Sequence, residues 1–379
     1  MAIVTRYFST TGAGAANGTT WADRAALFSS GNWSTVITGF AFNASDSLEA
    51  RIQGGLTYTC SQSLASGLFA NPPSVSNLLV LHGCNSSGDL LLPPDGAWVS
   101  SQPAFSTATL PVIATTTNIS TFNLGNLYAR LLGLTASGAG VGNIVSEGNY
   151  DWINIVCTSN SASATGFLTP TMLLNSCVLF SGTGFEAGIV LPLGLVNNVR
   201  IDGTAATSSG TRRGANTTSS GHVFSRITSI GCAGGGAFMA TGSATRSGHY
   251  SRSLMINCGA FGFQGSPTAS QTVFHTVANS VIVNCVTGID GNTNARFILA
   301  GNRLRDNSSA NYATTGNSLT SVDDTSSGTN ANEFVDAASG DYRIKLGSAI
   351  WGKGIGPGDQ PASSGGLMLP RPMNGGYSA

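Results

Sequence analysis

Ser220–Cys232 (SGHVFSRITSIGC), Ser247–Cys258 (SGHYSRSLMINC) and Val273–Cys285 (VFHTVANSVIVNC) are three versions of one phrase. Set against one another, they place His222 over His249 and His275, and Cys232 over Cys258 and Cys285. The histidines step by 249 − 222 = 27 and 275 − 249 = 26 residues, the cysteines by 258 − 232 = 26 and 285 − 258 = 27. Repetition at such a period marks a repeat architecture. Val277, Val281 and Val283 alternate and then meet the turn-like Thr287-Gly288. Short β-branched runs broken by Gly, Asn and Ser are strands. No repeat holds the stretch of about ten residues a helix needs, which excludes leucine-rich, ankyrin and tetratricopeptide solenoids. The unit predicts one coil of a parallel β-helix, each strand bonded to its counterpart one coil away at about 4.8 Å. Like residues then stack. Asn257-Cys258 and Asn284-Cys285, with Asn175-Ser176-Cys177 earlier, read as one such column.

Composition fits that unit. Charged residues make up 9% of the 379, hydrophobic ones 41%, and there are 50 glycines. That is enough apolar residue to fill a narrow core, and Gly and Asn suit closely stacked turns because they accept positive φ. The net charge is zero and only Lys345 and Lys353 are lysines, so no basic stripe invites nucleic acid or an anionic membrane. Seven cysteines, an odd number with no CxxC, read as buried thiols acting as small hydrophobes. The opening MAIVTRYFSTTGAG lacks the pattern of a secretory signal, and no apolar run is long enough to span a bilayer. The expectation is synthesis in a reducing cytoplasm.

In chain order, residues 1–46 read as a strand around Ile3–Phe8 and a cap helix over TWADRAALFSS, with Thr20 as N-cap and Trp21, Ala25 and Phe28 on one face. Such a helix would cover the first coil, whose open end exposes strand edges and core. Residues 47–355 form the solenoid, with Pro93–Pro103 leaving the wall as a loop, Thr204–Gly221 as a polar insertion and 333–355 as the closing coil. Residues 356–379 form a Gly/Pro/Ser-rich tail, extended and either mobile or docked on another chain.

Both ends resemble a known pattern. YFSTTGAGAANGTTWADRAALF is similar to the opening of right-handed parallel β-helix proteins of the pectate-lyase-like superfamily. EFVDAASGDYRIKLGSAIWGKGIG resembles their closing coil, F-x-D-x-x-x-x-D-Y-R-L-x-x-G-S, through Phe334, Asp336, Asp341, Tyr342, Arg343, Gly347 and Ser348. The superfamily includes pectate lyases, polygalacturonases, secreted surface proteins and bacteriophage tailspikes. Without a signal and with its low charge, this chain is most similar to the phage virion members, and the resemblance implies a homotrimer.

Chemistry is harder to place. Glycoside hydrolysis needs two facing carboxylates, yet none of the seventeen acids recurs at 24–28 residues in one strand phase. A lyase would want an aspartate cluster for calcium, and none stands out. Glu186, Asp202 and Asp290, with Arg212, are the candidates for a site shared between subunits; the alternative is that they are solvated turn residues. His222, His249 and His275 would stack as a ligand or interface ladder, or as a structural column. Arg226 and Arg252 would form a parallel column able to meet anions or carboxylates across a subunit interface. Trp98, Trp152, Tyr250 and Phe261 would serve as a sugar platform or be buried.

The sequence therefore predicts an all-β, right-handed parallel β-helix solenoid with an N-terminal cap helix and an extended C-terminal tail. Its expected role is that of a non-enzymatic, trimeric virion component, whether spike, fibre-like or capsid-decorating. It would bind other capsid or tail proteins and, on one reading, a host surface polysaccharide, without cofactor or metal. The rivals are a polysaccharide-depolymerising tailspike, whether hydrolase or lyase, and a secreted adhesin.

Overall fold

The computed structural model describes residues 2–358 except 43–45, 92–97, 104–107, 117–119, 125–126, 139–142, 147–150, 160–164, 169, 183–186, 191–193, 207–212, 218–220, 241–245, 267–272, 292–294, 315–318 and 323–324. Strands dominate, and they lie in parallel ladders: an 18-stranded sheet and a 9-stranded sheet wind around one hydrophobic core. Successive coils pair in register, as in Leu173↔Val196↔Phe224↔Tyr250↔Val277↔Leu299. This is the predicted parallel β-helix. Among the described residues, no helix is long and apolar enough to cross a membrane.

The wall turns at two columns of left-handed residues. The first runs Gly133, Asn175, Asn198, Arg226, Arg252, Asn279, Gly301, all at positive φ. Asn198 donates its side-chain amide to Asn175 Oδ1 at 2.7 Å, so the corner also forms an amide ladder. The second runs Gly231, Asn257, Asn284, Asp306. Gly and Asn adopt this conformation most readily, which explains the Asn-Cys phrase: Asn turns the corner and the following Cys points into the core. Asn175-Ser176-Cys177 does not belong to that column. Asn175 belongs to the first corner, and Cys177 lies two residues beyond it, packed with Trp98 and Leu110.

All seven cysteines are buried and none is in a disulfide, as expected of small hydrophobes. Burial pushes the thiol of Cys60 up to about 11 and that of Cys84 to about 12. These thiols stay protonated and unreactive at neutral pH.

The first helix is a correction. Residues 20–30 are not helical: Ala25–Ala26 joins the parallel sheet against Phe8–Ser9, and Phe28–Ser29 forms a hairpin with Asn32–Trp33. Only Thr35–Thr38 makes a helical turn, capped by the Ser34 hydroxyl. The apolar spacing of Trp21, Ala25 and Phe28 was real, but Ala25 and Leu27 are the buried pair, with the period of a strand. Ile3–Ser9 already pairs with Ser47–Gln53, so the solenoid wall begins at Ile3.

Candidate functional site: a bare wall and a covered wall

The first corner divides the large sheet into two strips with opposite fates. Beyond it, Leu254–Ile256, Val281–Val283 and Arg303–Arg305 are buried on both faces. Met255, Ile282 and Leu304 enter the core, while Leu254, Ile256, Val281 and Val283 meet Phe334, Tyr342, Ile344 and Ile350 of the stretch read from the sequence as a closing coil. In that stretch Phe334–Asp336 and Asp341–Ile344 pair as a separate antiparallel hairpin laid on the wall. The loop around Trp98 covers earlier coils: the Ser100 amide donates to Asn198 Oδ1 at 2.6 Å, and its hydroxyl lies 3.0 Å from Thr228 Oγ1. Buried Arg200 joins both covers. It donates to the carbonyls of Gln102 (2.7 Å) and Gly340 (3.3 Å) and pairs with Asp202 at 2.8 Å.

Before the corner, none of the described residues covers the outer face. Ala295–Ala300 (ARFILA) alternates between buried and exposed residues. Its outward column runs Met172↔Leu195↔Val223↔His249↔Thr276↔Ile298, with Leu132↔Ile153↔Leu174 beside it. Val223 is 39% exposed, Phe274 41% and Ile298 55%. Arg296 lies over the Phe274 ring, 5.7 Å from its centroid. Outward apolar residues recur along this strip, interrupted by His249 and Thr276, and exposed apolar surface of this kind marks an interaction site.

At the N-terminal end the stripe meets a polar cluster. Arg51 and His82 are paired neighbours on adjacent coils. Glu49 accepts from Arg51 Nε at 3.0 Å and Thr5 Oγ1 at 3.2 Å, and lies 3.5 Å from His82 Nδ1. The hydrogen bond with His82, aided by Arg51, holds the Glu49 carboxyl below its usual range against the opposing effect of burial. Arg51 also lies over the Tyr7 ring, whose edge meets Trp21. A search for acids repeating at 24–28 residues misses this group, because here the coil step is 82 − 51 = 31.

At the other end Glu333, 1% exposed, is gripped by Arg303 and Arg305. Arg305 pairs further with Asp306, and Arg303 donates to Thr325 Oγ1 at 2.7 Å and Ser327 Oγ at 3.2 Å.

The sequence-predicted residues fall as follows. His222 and His275 are buried, but they flank Gly248, not His249: the register is His222↔Gly248↔His275. His249 pairs with Val223 and Thr276 and is exposed. The three-histidine ladder is therefore corrected. A one-residue slip reverses the face of a side chain, and His249 stands three residues before the corner at Arg252, whereas His222 and His275 stand four before Arg226 and Asn279. The buried rings form an aromatic stack: Phe224 on Tyr250 (5.0 Å), Tyr250 on His275 (5.8 Å), His275 on Phe297 (4.7 Å). Burial, with His222 nearby, lowers the His275 pKa to about 3.

Arg226 and Arg252 do align, as adjacent members of the first corner. Burial and the charge of Arg252 both lower the pKa of Arg226. Asp202 and Asp290 are not brought together as a pair: Asp202 serves Arg200 under the covered wall, and Asp290 accepts from Gln264 on the 9-stranded sheet. Glu186 and Arg212 lie outside the described residues. Trp98, Trp152, Tyr250 and Phe261 are all buried, which removes them as a sugar platform. Among the described residues, no group of three or more His, Cys, Asp or Glu is placed to hold a metal ion.

The ladders, corners and core define the class: an all-β parallel β-helix. No family model matches the chain, and no curated protein matches it. Among solved structures the chain is similar to the crystal structure of pectate lyase Pel9A, at a TM-score of 0.41 and 12% identity, covering 97% of this chain and 94% of that one.

Proposed function

We propose that this protein is a non-enzymatic structural component of a bacteriophage particle, a spike, fibre-like or decorating β-helix that works as a homotrimer. The observation that carries this reading is the bare strip: a largely apolar column, broken by His249 and Thr276, runs along a wall that the described residues cover on its other half only. Three parallel solenoids packed on that strip would bury Leu195, Val223, Phe274 and Ile298, and would leave the closing coil free to meet other virion proteins or a host surface glycan. Five of the described carboxylates, Glu49, Asp202, Asp306, Glu333 and Asp341, are engaged with arginines, which favours a structural role for those five. Light scattering on the full chain tests the assembly, with a mass of about three times 38.5 kDa expected. A monomer at all workable concentrations overturns it. Release of reducing ends from bacterial polysaccharide would overturn the non-enzymatic part.

A further inference from the structure

The closing coil does more than seal the wall. Together with the coil beneath, it shapes a cleft of about 440 Å³, within the roughly 300–1,000 Å³ of small-ligand sites. Arg303, Ser327, Asn332, Glu333, Lys345 and Ser348 supply its polar lining. Lys345 and Ser348 fall in the closing-coil stretch that the sequence singled out, and the proposed assembly leaves them without a role.

The donors are not all used. A guanidinium has five N–H groups. Arg303 spends one on Thr325, one on Ser327 and two on Glu333, which leaves 5 − 4 = 1. Lys345 gives one of its three to the Ala331 carbonyl at 3.3 Å. Ser348 Oγ is buried and makes no hydrogen bond. Glu333 cannot act as an open acid here, because both its oxygens are held by arginine. Among the described residues lining the cleft, Arg303 and Lys345 against Glu333 leave 2 − 1 = 1 positive charge, and Lys345 has no described acidic partner. Leu346, 50% exposed, adds an apolar wall. Gly328, at φ +111°, leaves space that a Cβ would take from Arg303 and Glu333.

One net positive charge among the described lining residues, spare N–H donors, one unsatisfied hydroxyl (Ser348) and one apolar wall describe a complement. The geometry points to a site for a hydroxyl-rich monocarboxylate of monosaccharide size, a sugar acid either free or ending a glycan chain. Its carboxylate meets Lys345 and the spare Arg303 N–H, its hydroxyls meet Ser327, Asn332 and Ser348, and its ring lies on Leu346. This assignment rests on the glycan contact in the function proposed above and not on trimerisation.

Titration calorimetry of the full chain tests it with glucuronate, glucose, acetate and a glucuronate-terminated oligosaccharide. The expected result is binding of glucuronate, none of glucose, much weaker binding of acetate, and a loss of about tenfold in Lys345→Gln, as befits one charge-assisted contact. Tighter binding of the oligosaccharide assigns the site to a glycan end; equal binding assigns it to the free acid. No heat with glucuronate, acetate binding as well as glucuronate, or an unaltered Lys345→Gln overturns the site. Light scattering on the same sample keeps the readings apart: a trimer that does not bind removes the cleft alone, and a monomer that binds removes the assembly alone.

Discussion

The covered and bare strips belong to one sheet, share one backbone register and differ only in what lies outside them. Val281–Val283 is buried on both faces because residues 334–358 return across it; Ala295–Ala300 alternates because no described residue returns across it. A solenoid wall needs one apolar face for its core. A second apolar face has to be covered, and here the described residues cover it for only half of the wall. The comparison teaches where this molecule's own packing ends and where a partner's begins.

The largest effect should come from placing one charge on each strip. Val281→Asp buries an unpaired carboxylate between the core wall and the closing coil, and should lower unfolding free energy by about 4 kcal/mol or more. Ile298→Asp should change the stability of the dissociated single chain by no more than about 0.5 kcal/mol, because in that chain the side chain faces solvent. Denaturant titration of the two variants checks this. Equal losses would erase the distinction between the strips.

Next comes the ionic clasp of the covered strip. Glu333→Ala leaves Arg303 and Arg305 without the carboxylate that joins them in a buried site, a change that costs about 3–5 kcal/mol. The same titration, with protease cleavage mapped to residues 330–358, should show the closing coil released first.

A pH effect follows from the stack beneath the bare strip. The folded pKa of His275 is about 3, below the roughly 6.5 of an unfolded histidine. The unfolded state therefore binds the extra proton first. Stability contributed by the neutral ring is complete above about pH 6.5 and is lost as pH falls toward 3. His275→Leu should flatten the melting temperature across that window; an unchanged acid slope would exclude His275 as its source. The smallest effect sits at the corner between the strips. Arg252→Gly relieves a left-handed arginine and its repulsion with Arg226, and should stabilise by at most about 1 kcal/mol.

Much of this was legible in the sequence. Val281-Ile282-Val283, three apolar residues in a row, has the pattern of a strand buried on both faces, and the 26–27 residue period gave the coil. The Asn-Cys pairs marked a corner and a core position. The histidine column misled because a pattern set by Cys258 and Cys285 runs backward only as far as the corner; His249, one residue nearer that corner, falls on the other face. Arg303-Leu304-Arg305 reads as surface on its own. Only Glu333, 28 and 30 residues later, explains why two arginines are buried. Glu49, Arg51 and His82 escaped notice because their coil step is longer than the repeat that organised the rest.

The account stands or falls on the bare strip being an assembly face. Sedimentation mass of the wild-type chain beside Ile298→Asp tests that most directly. The account predicts a trimer for the first and a folded monomer of 38.5 kDa for the second. A trimer that survives Ile298→Asp, or a wild-type chain that never associates, would contradict it.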